Sequence, residues 1–252
     1  MSVLQACALF LAVVVHGAAI AQGSAGELAL YESQRIVDMP TAGVLPRGGM
    51  LIRAIAFEQG GLLAEAIVAP LQRVQLGLGY SGVGIIGSGT IGWQDVPAVH
   101  VRWRFLDETL VLPALTLGLE TLGRGPVIGT TFATPAPGAF IAASKQFRWW
   151  LGGCALHGGI GYGFDLHFNG TTMNAWLGVE QSLGRSIAIS LEANPGSIEQ
   201  ARPLMLGSVV RWSVLRGATV ELYLRDLGSR MNNRPTRAVG VEFIALLSQV
   251  MW

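Results

Sequence analysis

The sequence predicts an all-β fold, a single antiparallel transmembrane β-barrel of about twelve strands that follows a cleaved signal peptide. Three observations predict it. Apolar and polar residues alternate with the strand period of two, the connections sort into short and long, and the chain is apolar without a helical span. Of 252 residues, 51% are hydrophobic and only 13% are charged, yet no run after Gln22 approaches the roughly 20 apolar residues a helical crossing needs. The polytopic helical class is excluded. Seventeen basic and sixteen acidic residues leave a net charge of +1, which gives nucleic acid no field to follow. The two cysteines are too few for a disulfide framework or a four-ligand zinc site.

The elements follow in order. Residues 1–21 read as a secretory signal, with an apolar core at Ala6 to Val15, a His16-Gly17 break and the triplet Ala19-Ile20-Ala21 before Gln22. Leu4-Gln5-Ala6-Cys7 has the look of a lipoprotein box, but the apolar core follows Cys7. Residues 22–47, with Pro40, Gly43 and Pro46, are expected to form a periplasmic lead or a partial plug, and residues 48–252 the barrel. Strands are expected near 49–57, 62–69, 73–81, 98–106, 110–120, 138–147, 153–165, 172–182, 186–194, 204–214, 218–226 and 237–247. After the first hairpin, short connections at Pro70-Leu71-Gln72, Asp107-Glu108-Thr109, Trp149 to Gly152, Gly184-Arg185 and Leu215-Arg216-Gly217 alternate with longer ones at 82–97, 121–137, 166–171, 195–203 and 227–236. Bacterial outer-membrane barrels sort their turns in this way, and a soluble sandwich has no reason to. The last residues, Phe243 to Trp252, look like the C-terminal strand of such barrels, with alternation broken at Leu246-Leu247.

Val99-His100-Val101-Arg102-Trp103-Arg104-Phe105 shows the two faces most clearly: Val, Val, Trp and Phe on one, His, Arg and Arg on the other. The apolar face belongs to lipid and the polar face to the lumen. The residues expected to face the lumen are Arg53, Glu65, His100, Arg102, Arg104, Glu120, Lys145, His157, Glu180, Glu192, Arg211, Glu221, Arg225 and Glu242. Antiparallel pairing around Arg216-Gly217 sets Arg211 opposite Glu221. Gly77, Gly79, Gly118, Gly159, Gly161 and Gly163 fall mostly on the inner face, and Tyr80, Trp103, Trp149, Trp150, Tyr162 and Trp212 lie near strand ends, as interfacial girdles require. Two readings of the lumen stand side by side. One is a polar conduit whose basic ladder, Arg102 and Arg104, handles an anionic or hydroxylated solute; the other is a barrel closed by its own ion pairs.

The polar residues give little support to an enzyme. His167-Phe168-Asn169-Gly170 lies in an expected outward loop and brings outer-membrane lipases to mind, but the nearest hydroxyls are Thr171 and Thr172, and Asn-Gly is a strong turn dipeptide. Asn169-Gly170-Thr171 is a glycosylation triplet that bacterial secretion leaves unused, and Cys154 reads as a small apolar filler. No catalytic residue, metal site or cofactor is expected.

Ile36-Val37-Asp38-Met39-Pro40-Thr41-Ala42-Gly43-Val44-Leu45-Pro46-Arg47-Gly48-Gly49 resembles the opening of YjbH-like outer-membrane proteins. Four further stretches are similar to that family in the same order: Ala69 to Gly77, Val101 to Thr109, Leu112 to Gly118 and Phe140 to Phe147. The resemblance covers about residues 36–165; the rest matches only as generic barrel. It implies outer-membrane residence and association with exopolysaccharide production or export, and it brings no catalytic motif. The expected function is a non-enzymatic barrel linked to surface polysaccharide. A small-solute channel is the alternative, and an outer-membrane lipid hydrolase the third reading. The expected partners are outer-membrane lipid, the barrel-insertion machinery, and polysaccharide or its export proteins.

Overall fold

The computed structural model describes residues 31–128, 131–163, 172–194, 204–228 and 234–247. The expected signal peptide, the His167 loop and the terminal Trp252 lie outside the described residues. Among the described residues the strands are β1 (Gly49–Phe57), β2 (Gly61–Leu71), β3 (Val74–Val83), β4 (Gly92–Trp93), β5 (Ala98–Leu106), β6 (Ala114–Glu120), β7 (Arg124–Ile128), β8 (Thr131–Thr134), β9 (Gly138–Trp149), β10 (Gly152–Gly163), β11 (Thr172–Leu183), β12 (Ile187–Asn194), β13 (Met205–Leu215), β14 (Ala218–Arg225) and β15 (Thr236–Leu246). All but β4, β7 and β8 form one antiparallel sheet of 12 strands that closes on itself. The seam pairs β1 with β15 from Gly49 opposite Leu246 to Phe57 opposite Ala238. Closure leaves no strand edge without a partner, which is the condition for crossing a bilayer in β structure.

Period-two alternation decides what each face meets. Along β2 every second residue is buried, and Leu63, Glu65, Ile67 and Ala69 point inward. The outward residues between them are apolar, and outward positions elsewhere on the wall are mostly so, as with Ile52, Val68, Leu78, Leu177, Leu222 and Phe243, with Arg237 among the exceptions. Inward positions carry most of the charge. Short turns gather at one rim, among them Gln72-Arg73, Trp150-Leu151 and Arg216-Gly217, where Gly217 takes φ 83°. By the rule for outer-membrane barrels this rim is periplasmic, and both Arg47 and Leu247 lie on it.

Three parts depart from the expected outline. Residues 121–137 are not a plain loop: β7 and β8 pair as a small hairpin that folds over the mouth at the opposite rim. The strand expected at 110–120 starts only at Ala114. Thr109 Oγ1 accepts the N–H groups of Val111 (3.3 Å) and Leu112 (2.9 Å), closing a turn, and Pro113 has no N–H for a ladder. Lys145 points outward, because Ser144 pairs inward with Ala114 and the next residue must face the other way.

Residues 31–47 form a finger. The chain rises from the periplasmic rim into the lumen, reverses at Ile36 to Met39, and returns to β1. Ile36 N–H donates to Met39 O (2.9 Å), Thr41 N–H to Gln34 O (3.2 Å), and Arg35 bridges Pro40. The apolar side chains of the finger complete the interior. Val37 joins Ile55, Phe57, Leu63 and Tyr223; Ile36 and Met39 join Phe140 and Trp176; Leu45 joins Leu51 and Ile67. Burying each such side chain stabilises the seating by about 1.5–3 kcal/mol.

Candidate functional site

The finger and the wall meet through polar groups that face each other across the lumen. Among the described residues seven buried arginines (35, 53, 102, 104, 124, 211 and 225) face seven buried acids (Asp38, Glu65, Glu120, Glu180, Glu192, Glu221 and Asp226). Buried charge persists only when paired and hydrogen-bonded, so the matching numbers are a structural requirement.

Wall side chains hold the finger largely by its backbone. On β5, Arg102 Nη1 donates to Gln34 O (2.9 Å) and Gly43 O (3.2 Å), and its guanidinium lies 5.6 Å from the centre of the Phe140 ring. Arg104 donates twice to Ala42 O (3.1 and 2.8 Å) and pairs with Glu32. On β13, Arg211 Nη2 donates to Arg35 O (2.9 Å) and Ile36 O (2.7 Å). On β12, Glu192 Oε2 accepts three consecutive N–H groups, of Val37, Asp38 and Met39, each at 2.9 Å. Trp176 Nε1 donates to Pro40 O (2.9 Å), and Ser144 Oγ accepts Ala42 N–H (2.9 Å).

Besides Glu32, two charges of the finger reach the wall directly. Arg35 pairs with Glu120 and with Glu65 (3.3 Å). Asp38 takes a bidentate grip from Arg225, with contacts of 2.7, 2.8 and 3.0 Å. Burial alone would raise the Asp38 carboxyl, but the Arg225, Arg124 and Arg35 guanidiniums outweigh it and hold the group below the usual carboxylate range. The hairpin reaches the same place from the other rim: Arg124 pairs with Glu65 (2.5 Å), and Thr134 Oγ1 lies 3.3 Å from Asp38 Oδ2.

The remaining candidates pair within the wall. Arg53 meets Glu65 (3.2 Å), Glu221 (3.7 Å) and Glu242. Arg211 meets Glu221 (3.0 Å) and Glu180 (2.9 Å), and Glu180 also accepts from Ser190 (3.0 Å). Gln75 fixes the His100 tautomer. Its Oε1 accepts Leu45 N–H (2.9 Å), so its Nε2 donates to Gln34 Oε1 (2.7 Å) and His100 Nε2 (2.8 Å). The proton of His100 is then on Nδ1, 3.5 Å from Glu120 Oε2. His157 Nδ1 lies 2.8 Å from Ser144 Oγ. Lys145 is outside this site altogether. Cys154 lies outward opposite Phe147, as a free thiol. Among the described residues no group of His, Cys, Asp and Glu is arranged to hold a metal.

In the finger the sequence pointed to Pro40, Gly43 and Pro46, as part of a periplasmic lead or partial plug, and to no side chain as a site residue. Arg35 and Asp38, three apart at the tip of a segment flanked by Pro40, were the available signal. The inner glycines acquire a specific role where the finger comes close: a Cβ on Gly178 would stand 2.4 Å from Ile36 Cγ2, and one on Gly159 would stand 2.3 Å from the Trp176 ring.

A closed antiparallel barrel with an apolar exterior, a charged interior and short turns sorted to one rim defines an outer-membrane β-barrel protein. Solved structures similar to this chain include the NanC porin, at 9% identity and a TM-score of 0.40, covering 78% of this chain and 98% of that one. Another is a loop L8 deletion mutant of OmpT, an outer membrane protein of Vibrio cholerae, at 8% identity and a TM-score of 0.32, covering 79% and 97%. No family model and no curated protein matches the sequence.

Proposed function

We propose that this outer-membrane barrel is a non-enzymatic accessory of exopolysaccharide production or export, acting through its surfaces and not as an open pore. The observation that carries this reading is the seated finger. Its backbone and side chains are bonded to β2, β3, β5, β6, β9, β11, β12, β13 and β14, and the basic ladder of Arg102 and Arg104 is spent on Gln34, Ala42 and Gly43 carbonyls instead of a solute. Ser144 and His157 touch, but the serine is committed to the finger and both are buried, which favours no hydrolytic role. The link to polysaccharide rests on the resemblance to YjbH-like proteins, whose first stretch, Ile36 to Gly49, runs from the finger tip into β1.

A deletion strain assayed for matrix polysaccharide tests the proposal, with restoration by the intact gene. Loss of matrix is the expected result, and unchanged matrix sinks it. Purified protein in planar bilayers should show no steady conductance. An open-channel current from the intact chain would instead favour the small-solute channel.

A further inference from the structure

We infer that the apolar part of the β5–β6 connection, residues 109–113, is a lipid-embedded ledge that inserts with Trp149 and Trp150 into the acyl chains of the periplasmic leaflet. Leu110, Val111 and Leu112 are 80%, 84% and 49% exposed, and Trp150 is 86% exposed. A water-facing turn has no use for three consecutive bare aliphatic residues.

Several polar groups of this segment are met from within the protein. Thr109 N–H donates to Leu112 O (3.0 Å), and Thr109 Oγ1 accepts from Val111 and Leu112. Lys145, outward on β9, lies beneath the ledge. Its ammonium has three donors and three protein partners: Thr109 O, Leu110 O (3.2 Å) and Glu108 Oε1 (3.3 Å). Glu108 Oε1 also accepts Gln146 N–H (2.9 Å), which covers the margin of β9 that extends past β6. Trp149 Nε1 donates to Gln181 Oε1 (2.8 Å). In water these groups would have solvent; in hydrocarbon an unmet backbone group is costly, and for these the protein supplies the partners itself.

Continuity identifies the occupant as lipid. The ledge extends the outward strip of Trp103 and Phe105 on β5, whose rings lie 6.0 Å apart. The exposed Arg73–Asp107 ion pair, 47% and 46% accessible, marks the adjoining polar margin at headgroup level.

The test uses the full chain, with Cys7 and Cys154 replaced by Ser, in phosphatidylethanolamine and phosphatidylglycerol vesicles. A polarity-sensitive dye is placed on Val111→Cys or, in the β11–β12 turn, on Ser186→Cys. Brominated acyl chains should quench the dye at 111 about twofold or more over that at 186, and aqueous iodide should do the reverse. Equal iodide quenching at both sites overturns the ledge and points to a water-facing surface for a periplasmic protein. Adding Lys145→Ala should raise iodide access at 111 while heat-modifiable gel mobility is kept. No rise would overturn the role given to the ammonium.

Discussion

The lumen is filled from both rims, and the two fillings are held by different means. The finger is gripped by its backbone: Arg102, Arg104, Arg211, Glu192, Trp176 and Gln75 all bond its carbonyl or N–H groups. The β7–β8 hairpin is held at fewer points: through its own side chains by Arg124 on Glu65 and Thr134 beside Asp38, and through its backbone at Val127, whose N–H and O pair with Gln59, both at 2.9 Å. A grip on the backbone reads the shape of a loop and is indifferent to most of its side chains. Specificity for the finger is therefore written in the wall.

The largest effect should come from separating the two fillings. Replacing residues 33–43 with a short Gly-Ser link removes the finger carbonyls held by Arg102 and Arg104 and the N–H groups held by Glu192, and should give a steady conductance in planar bilayers. Replacing 124–134 the same way should leave the barrel closed, because the finger contacts remain. Conductance from the second variant and silence from the first would reverse the comparison.

Next in size is the wall itself. Arg211 serves two finger carbonyls and two acids, so Arg211→Ala leaves Glu180 without its arginine in a buried site, while Glu221 keeps Arg53 at 3.7 Å. Breaking a buried pair by removing one partner costs about 3–5 kcal/mol. The midpoint of heat-modifiable gel mobility should fall accordingly. Val37→Ala in the finger, which keeps its N–H on Glu192, should cost less.

The uneven legibility of the chain has the same physical origin. Val99 to Phe105 could be read because lipid on one side and charge on the other impose a period of two on the residues themselves. Arg211 opposite Glu221 followed from a three-residue turn at 215–217, and the structure reaches the same register with a two-residue turn and a bulge between Ser213 and Leu215. Lys145 was misread for want of parity: the inward Phe140, Ala142 and Ser144 fix it outward, but a lysine on a lipid-facing position makes sense only once Glu108 and the Thr109 and Leu110 carbonyls are seen beneath it. Leu110 to Leu112 read as strand because an apolar run is consistent with one, whereas a single hydroxyl, Thr109 Oγ1, makes it a turn. The finger left almost no periodic signal, since backbone groups bonded to distant side chains impose no pattern on their own sequence.

The smallest effect should be the change with pH set by Asp38, an acid the finger itself carries into the wall. Its carboxyl titrates below its ordinary 3.8 in the folded protein, because Arg225 and its neighbours favour the ionised form more than burial opposes it. A lowered folded value means that the pairing stabilises the fold at pH above 3.8 and is lost as pH falls through the folded value. One proton contributes a slope of no more than about 1.4 kcal/mol per pH unit. Asp38→Asn keeps the shape and removes the titration, so the wild type should exceed it in stability near neutral pH and the gap should narrow below 3.8. Measuring the unfolding midpoint of both proteins in urea and detergent between neutral and acid pH checks this. A gap independent of pH would mean that Arg225 holds the finger through shape and hydrogen bonding alone, and the finger would then be gripped without charge at its tip as well.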